Sequence, residues 1–331
     1  MNLSVHFEGS FLDIYPYMDW VFLLAEDGDL LFCRTDELVP NDKVLHDAIF
    51  RQSSMSATWQ LAKLTVGTIS LSTKKFKKLA KLADGSKFCD LRFFYSNIFC
   101  GSEDGLQFLS FDTSTEKVVS EEKITDAPIA SLTAKFMTVF AASLEDKVTT
   151  LFNVSAGGYA KKALTGSTAT RIGVSDGNIN YYFGSKDLSL AAYSRSRVEG
   201  VNTFIQERDN EKIDEIGDAQ EYDGDMHGVD FIFNSNGGLY FVKGSNIEYR
   251  MNNGSKHYFD IGRSGKLIRA HLFQEIKCFE FIEGLYAVDG NGPRQLIEGE
   301  CISSRGYVNS KNYKNSVSAV NEAGAYIFRI S

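Results

Sequence analysis

Apolar and polar positions return along the chain in one form: an apolar run, a short turn carrying glycine or acids, then a second apolar run. It reads WVFLLAEDGDLLF from Trp20, NIFCGSEDGLQFLSF from Asn97, MTVFAASLEDKVTTLF from Met137 and NINYYFGSKDLSLAAY from Asn178. Three further copies are VDFIFNSNGGLYFV from Val229, CFEFIEGLYAV from Cys278 and NSVSAVNEAGAYIF from Asn315. Successive starts are about 77, 40, 41, 51, 49 and 37 residues apart. Two short apolar runs around a tight polar turn predict an antiparallel hairpin. A helical fold is excluded by the density of β-branched and aromatic alternation.

A third strand is expected before each hairpin, at residues 12–16, 91–94, 129–134, 170–174, 267–272 and 302–308, with a weaker candidate at 219–222. Fourth strands follow at 117–119, 201–205, 257–261 and 294–297, while the last unit ends at Ser331 after three. The opening residues, NLSVHFEGSF, alternate apolar and polar and have no hairpin of their own. They are expected to supply the missing outer strand, because an open repeat leaves a strand edge and an apolar face uncovered. A period of about 40 residues with four strands per unit is the spacing of propeller blades. The expected fold is all-β: a single β-propeller over residues 1–331 with seven four-stranded blades, closed by the N-terminal strand pairing with the last blade. The competing architecture is a β-sandwich followed by a second all-β domain. Regular hairpins with no linker-like stretch between them favour the single repeat domain.

About 40 surplus residues, from Asn41 to roughly Leu82, separate the first two hairpins. In NDKVLHDAIFRQ, Asn41 or Asp42 offers an N-cap, and Val44, Leu45, Ala48 and Ile49 share a face. This predicts a short helix within an insertion spanning residues 41–57. Strands are expected behind it at 58–64 and 66–72. An eighth, degenerate blade would fill the same space, and seven is the preferred reading.

This pattern resembles the seven-bladed β-propeller superfamily, WD40-like in architecture only. No repeat ends in Trp-Asp, and Asp19-Trp20 has the reverse order. The doublets Gly157-Gly158 and Gly237-Gly238 are too few for a kelch-type repeat. SEDGLQF at 102–108 only faintly resembles the turn of sialidase-like propellers. No family's functional residues are carried over.

Composition narrows the chemistry. The 331 residues are 43% apolar and 24% charged, with 25 Phe and 15 Tyr against 4 Pro, which describes a globular chain. Five cysteines (33, 89, 100, 278, 301) form an odd set with no CxxC pair. That disfavours a disulfide framework and a Cys-type zinc site and points to a reducing, cytoplasmic setting. The N-terminus lacks a signal-peptide pattern and no run of 18 apolar residues occurs, so no membrane insertion is expected. The five histidines (6, 46, 227, 257, 271) have no metal-ligand spacing. In GRSGKL, at 262–267, the place of the first P-loop glycine is taken by Asp260. No nucleophile elbow or calcium loop is present. The reading therefore assigns no catalytic residue, metal or cofactor, and no enzymatic activity.

Two charge features remain. The segment ERDNEKIDEIGDAQEYDGD, at 207–225, holds nine acids and two bases; it accounts for −7 of the net −8, leaving −8 − (−7) = −1 elsewhere. Its bland reading is a solvated inter-blade loop. In a four-stranded blade, however, the link entering the first strand opens beside the turn between the second and third strands. Several of those turns are acidic: Glu26, Asp27 and Asp29, then Glu103 and Asp104. With Asp209, Glu211, Asp214 and Glu215 of the loop they predict one acidic propeller face that steers a basic protein partner and repels phosphates. The second feature is KKFKKLAK, with Lys74, Lys75, Lys77, Lys78 and Lys81. It is the one candidate for nucleic acid, but lysines on an outer strand more simply blunt its edge against aggregation. The expected function is a non-enzymatic protein-interaction scaffold within a larger assembly. The alternative is a hydrolase or lyase with carboxylates at the mouth of the central channel.

Overall fold

The computed structural model describes residues 2–51, 67–82, 87–94, 96–135, 138–143, 149–155, 158–165, 171–174, 178–183, 187–198, 201–206, 211–212, 231–233, 239–243, 246–250, 256–260, 267–272, 276–290, 292–307, 310, 312–313 and 315–330. The chain divides into two compact units, a terminal one from Met1–Gly85 and Asp260–Ser331, and a central one from Ser86–Phe259.

In the terminal unit, β1 (Asn2–Glu8) precedes a meander of β2 (Phe11–Tyr17), β3 (Trp20–Ala25) and β4 (Asp29–Arg34). Two helices follow, α1 (Thr35–Leu38) and α2 (Lys43–Phe50), and then two strands, β5 (Gly67–Leu71) and β6 (Lys77–Lys81). β6 completes the sheet β2-β3-β4-β6. β3 reads WVFLLA without alternation because both of its faces are covered, whereas β2 alternates buried and half-buried positions.

The predicted helix is present as α2, with the Asp42 side chain accepting from the Leu45 amide at 2.9 Å. Its buried face differs from expectation. Val44 is exposed, and His46, Ala48, Ile49 and Phe50 are buried, so the apolar stripe is rotated toward the C-terminal turn. Ala48, Ile49 and Phe50 join Leu3, Val5, Phe7 and Ile327 in one core, which makes α2 part of the packing rather than an appendage. Arg329 of the last strand donates from Nη1 to the Ala48 carbonyl at 2.8 Å, at the carbonyl-rich end of the helix. The expected strand at 58–64 lies outside the described residues, and the one at 66–72 appears as β5.

The central unit begins with two four-stranded meanders. The first is β7 (Phe88–Phe94), β8 (Asn97–Ser102), β9 (Gly105–Asp112) and β10 (Lys117–Thr125); the second is β11 (Ile129–Lys135), β12 (Thr138–Ser143), β13 (Thr149–Ser155) and β14 (Gly158–Thr165). Phe99, Phe108, Phe152 and Tyr159 form an aromatic cluster from strands of both, with ring centroids 5.0–6.1 Å apart. Next come β15 (Arg171–Val174), β16 (Asn178–Phe183), β17 (Asp187–Val198), β18 (Val201–Gln206) and β19 (Glu211–Lys212). β18 pairs with the C-terminal half of β17, and β19 takes up the edge at Ser189 and Leu190. Residues 211–212, inside the expected acidic loop, thus continue a sheet edge.

The fourth sheet of this unit is β20 (Phe231–Phe233), β21 (Leu239–Lys243), β22 (Asn246–Arg250) and β23 (Lys256–Asp260). Here the expectation shifts by one strand. The hairpin from Val229 supplies the first and second described strands, and NIEYR, polar at three of five positions, supplies the third. The weak first strand expected at 219–222 lies outside the described residues.

The chain then returns to the terminal unit with β24 (Leu267–Leu272), β25 (Lys277–Phe281), β26 (Gly284–Asp289) and β27 (Gly292–Glu298), followed by β28 (Ser303–Gly306), β29 (Ser316–Asn321) and β30 (Gly324–Ile330). β1 pairs antiparallel with β30 from Asn2↔Ile330 to Glu8↔Gly324, so the two ends of the chain close one sheet, as expected. β5 adds a fifth strand parallel to β1. The described part of the surplus segment therefore gives outer strands to two existing sheets. Hairpin turns are set by backbone proximity. A Cβ at Gly284 would lie 2.2 Å from the Ile297 carbonyl oxygen, and one at Gly324 2.3 Å from that of Phe7. At both places the next strand pairs directly over a residue that must lack a side chain.

Candidate functional site

In two of the sheets the turn between the second and third strands is tied to the start of the first strand. The Glu26 amide donates to the Ser10 carbonyl at 3.4 Å, and the Glu103 amide donates to the Lys87 carbonyl at 2.9 Å. Glu26 and Asp27 are exposed at the β3–β4 turn. The Asp27 carboxylate accepts from the Asp29 amide at 3.1 Å, which is turn chemistry. Asp29 opens β4 half-buried and meets Lys78 of β6 at 2.7 Å. Glu103 and Asp104 form the exposed β8–β9 turn, where Asp104 meets Lys87 at 2.8 Å.

Glu26, Asp27 and Asp29 therefore share one turn of the terminal unit, and Glu103 and Asp104 share one turn of the central unit. Glu211 opens β19, with its backbone opposite Leu190. Asp209, Asp214 and Glu215 lie outside the described residues. The lysine segment forms a 3₁₀ turn at Thr73–Lys75 and then the outermost strand of its sheet, the edge position expected of it. Phe76 packs edge-on against Phe7 with centroids 5.6 Å apart, and Lys75 Nζ donates to the Glu37 carbonyl.

A second concentration of charge is buried in the terminal unit, where β24, β28 and β2 are the first strands of three sheets. Asp13 on β2 is 2% exposed and takes a two-pronged contact from Arg305, Nη1 to Oδ1 at 3.2 Å and Nη2 to Oδ2 at 2.9 Å. Ser303 Oγ also donates to Asp13, and the Arg305 guanidinium lies 4.4 Å from the centre of the Tyr15 ring. Glu280 on β25 is fully buried and accepts from Arg269 Nη1 at 3.0 and 3.1 Å. Ser304 Oγ donates to the same carboxylate and lies 2.8 Å from His271 Nε2. The one hydroxyl proton of Ser304 goes to Glu280, so Nε2 of His271 is the donor in the remaining bond.

This serine sits between a carboxylate and a histidine. The order is not that of a nucleophile, in which histidine separates serine from the acid. Each acid is matched by a guanidinium, and the cluster joins the first strands of three sheets. Sequence reasoning passed over Asp13 and Glu280. The available signal was a lone acid inside an otherwise apolar strand, FLDIYPY and KCFEF. Around them, burial pushes the Tyr307 phenol well above its ordinary value. Four of the five cysteines are core residues, and Cys89 is half-buried. Cys33, Cys100, Cys278 and Cys301 are buried, and desolvation raises Cys33 to about 11 and Cys301 to about 12.

No protein-family model matches the sequence. No curated protein matches it either. Solved structures do match in fold. A chain of the mitotic checkpoint complex crystal structure is 11% identical, with a TM-score of 0.51 over 95% of this chain and 84% of that one. The C-terminal WD40 domain of Sif2 is 11% identical with a TM-score of 0.49 over 99% and 95%. The Cps50 (Swd1) β-propeller domain of Myceliophteria thermophila is 11% identical with a TM-score of 0.41 over 76% and 98%. At such identity likeness speaks of fold alone. With its antiparallel sheets of four or five strands, the chain is an all-β protein of β-propeller class.

Proposed function

We propose that this propeller-class chain is a non-enzymatic scaffold in the cytoplasm, a subunit of a larger assembly that binds a basic protein surface through its acidic turns. The turns concerned are Glu26, Asp27 and Asp29, Glu103 and Asp104, and the 207–225 segment with Asp209, Glu211, Asp214 and Glu215. The observation that carries the reading is the placement of Glu26, Asp27, Glu103 and Asp104. All four are exposed on short hairpin tips, each tip fixed by a backbone bond to the residue just before the first strand of its sheet. Rigid exposed carboxylates lose little freedom on meeting a cationic partner and raise its association rate.

The mitotic checkpoint complex chain comes from an assembly, which accords with this use of the fold. The hydrolase or lyase alternative draws less support. Asp13 and Glu280 are 2% and 0% exposed and are held by arginines.

The test is affinity purification of the tagged chain from its native host beside a variant carrying Glu26→Gln, Asp27→Asn, Glu103→Gln and Asp104→Asn. A stoichiometric partner lost from the variant is the expected result. A partner retained equally by both chains overturns the reading.

A further inference from the structure

Hairpin tips of the same type do not all carry the same residues. The first residue of the two-residue turn is Glu103 between β8 and β9 and Glu322 between β29 and β30, but Ile282 between β25 and β26. A β-branched apolar residue contributes nothing to such a turn, where polar residues and glycine are favoured. Ile282 is nevertheless 47% exposed.

Ile302 is 41% exposed at the end of the link that leads from β27 into β28. Two backbone bonds fix that link. The Gly299 amide donates to the Glu283 carbonyl at 3.0 Å, and the Ile302 amide donates to the Val320 carbonyl at 2.8 Å. The link is therefore stretched from the β25–β26 turn to the β29–β30 hairpin. Ile282 and Ile302 stand at the same end of adjacent sheets of the terminal unit. Glu283, Glu298 and Glu300 are exposed beside them, and Glu322 is exposed at the tip of the next turn. The other exposed large apolar residues among those described, Met18, Val44, Val119 and Tyr258, fall singly on separate elements. Scattered single residues of that kind need no explanation; two at one end of adjacent sheets, one on a turn and the other on the link bonded to that turn, do.

We infer that Ile282 and Ile302, with the exposed Glu283, Glu298 and Glu300 on the same turn and link and Glu322 on the next turn, form a docking patch for a short protein segment that interleaves aliphatic with lysine or arginine side chains. The inference rests on the scaffold reading and names a partner chemistry for a part of the surface not assigned above. The glutamates repel phosphate, which removes nucleic acid and anionic lipid as occupants. The isoleucines ask for apolar side chains that a purely basic surface lacks.

The test uses the full chain and a fluorescent peptide of about a dozen residues alternating leucine and lysine, the length of a short docking segment. Binding is followed by anisotropy at roughly 50 and 200 mM salt, conditions that separate screened from unscreened contributions. The expected result is binding that weakens at least about tenfold in Ile282→Ser/Ile302→Ser, the change for removing partly buried aliphatic contacts. Glu283→Gln/Glu298→Gln/Glu300→Gln/Glu322→Gln should weaken it and flatten its salt dependence. Peptides with serine for leucine, or glutamate for lysine, should not bind, and unfolding curves should match the parent chain.

Equal affinity in the parent and the isoleucine variant overturns the inference, as does failure of the leucine–lysine peptide to bind. The Glu26/Asp27/Glu103/Asp104 variant separates the two readings. If it loses its host partner while the peptide fails on the parent chain, only the docking patch is wrong. If the peptide binds through the isoleucines while the host partner is retained, only the assignment to those turns is wrong.

Discussion

The terminal unit uses carboxylate–cation pairs in two settings that differ in what water does to them. Asp13–Arg305 and Glu280–Arg269 put carboxylates that are 2% and 0% exposed against guanidinium groups, with Ser303 and Ser304 taking up further hydrogen bonds. Lys78–Asp29 links a lysine more than half exposed to the first residue of β4, beside the exposed Glu26 and Asp27. Buried carboxylates cannot turn to solvent, so they act as locks between strands. Exposed ones keep their hydration and their field, so they are available to another molecule. Residue type alone separates nothing here. Burial does.

Four changes sharpen this contrast, from largest effect to smallest. Arg305→Met leaves the Asp13 carboxylate buried without its guanidinium, and should lower unfolding stability in urea by about 3–5 kcal/mol. Phe50→Ala tests whether α2 belongs to the core; with Phe50 1% exposed among β1 and β30 residues, a loss of about 3–5 kcal/mol is expected. A loss of only a few tenths would return α2 to the surface. Asp42→Ala removes the cap on the Leu45 amide and should cost about 1 kcal/mol by the same measurement. Lys78→Gln, which removes the exposed lysine from its pair with the half-buried Asp29, should change stability by about 1 kcal/mol at most, since the lysine itself stays solvated.

A fifth expectation concerns pH. Asp112 accepts hydrogen bonds from Thr115 Oγ1 at 2.7 Å and from the Ser114 amide and hydroxyl at 2.9 and 2.8 Å, which lower its pKa to about 2. Its folded value lies below the unfolded one. Its contribution is therefore present above pH 3.8 and is lost as pH falls toward about 2. A carboxyl NMR titration of Asp112 with an ordinary midpoint would contradict this. The β9–β10 turn should remain ordered until the carboxylate protonates.

Much of the fold was legible because strands buried on both faces read as unbroken apolar runs. WVFLLA and TVFAAS announce β3 and β12 without any neighbour being known. The closing strand was legible for a related reason. NLSVHFE alternates like a half-buried strand but has no partner nearby in sequence, and the three-stranded last unit lacks one. β22 was missed because NIEYR has too few apolar positions to announce a strand. The face of α2 was misjudged at Val44, whose exposure follows from how the helix meets β1, a tertiary choice that periodicity does not contain. β5 was predicted as a strand, yet nothing local dictates its parallel pairing with β1.

Candidate chemistry was legible only in part. Acids on hairpin tips stand out in the sequence because turns are short and strands frame them. Asp13 and Glu280 required the partners to be seen, since Arg305 is 292 residues from Asp13 along the chain. Ile282 looked like one more apolar residue of a strand until its hairpin was aligned with its sisters.

The most direct test of the account is a paired measurement on the Glu26→Gln/Asp27→Asn/Glu103→Gln/Asp104→Asn chain: partner retention from the native host and urea unfolding of the same preparation. The account predicts partner loss with stability within about 0.5 kcal/mol of the parent, the range of surface substitutions. Retention of the partner, or a loss of stability comparable to that of Arg305→Met, would contradict it.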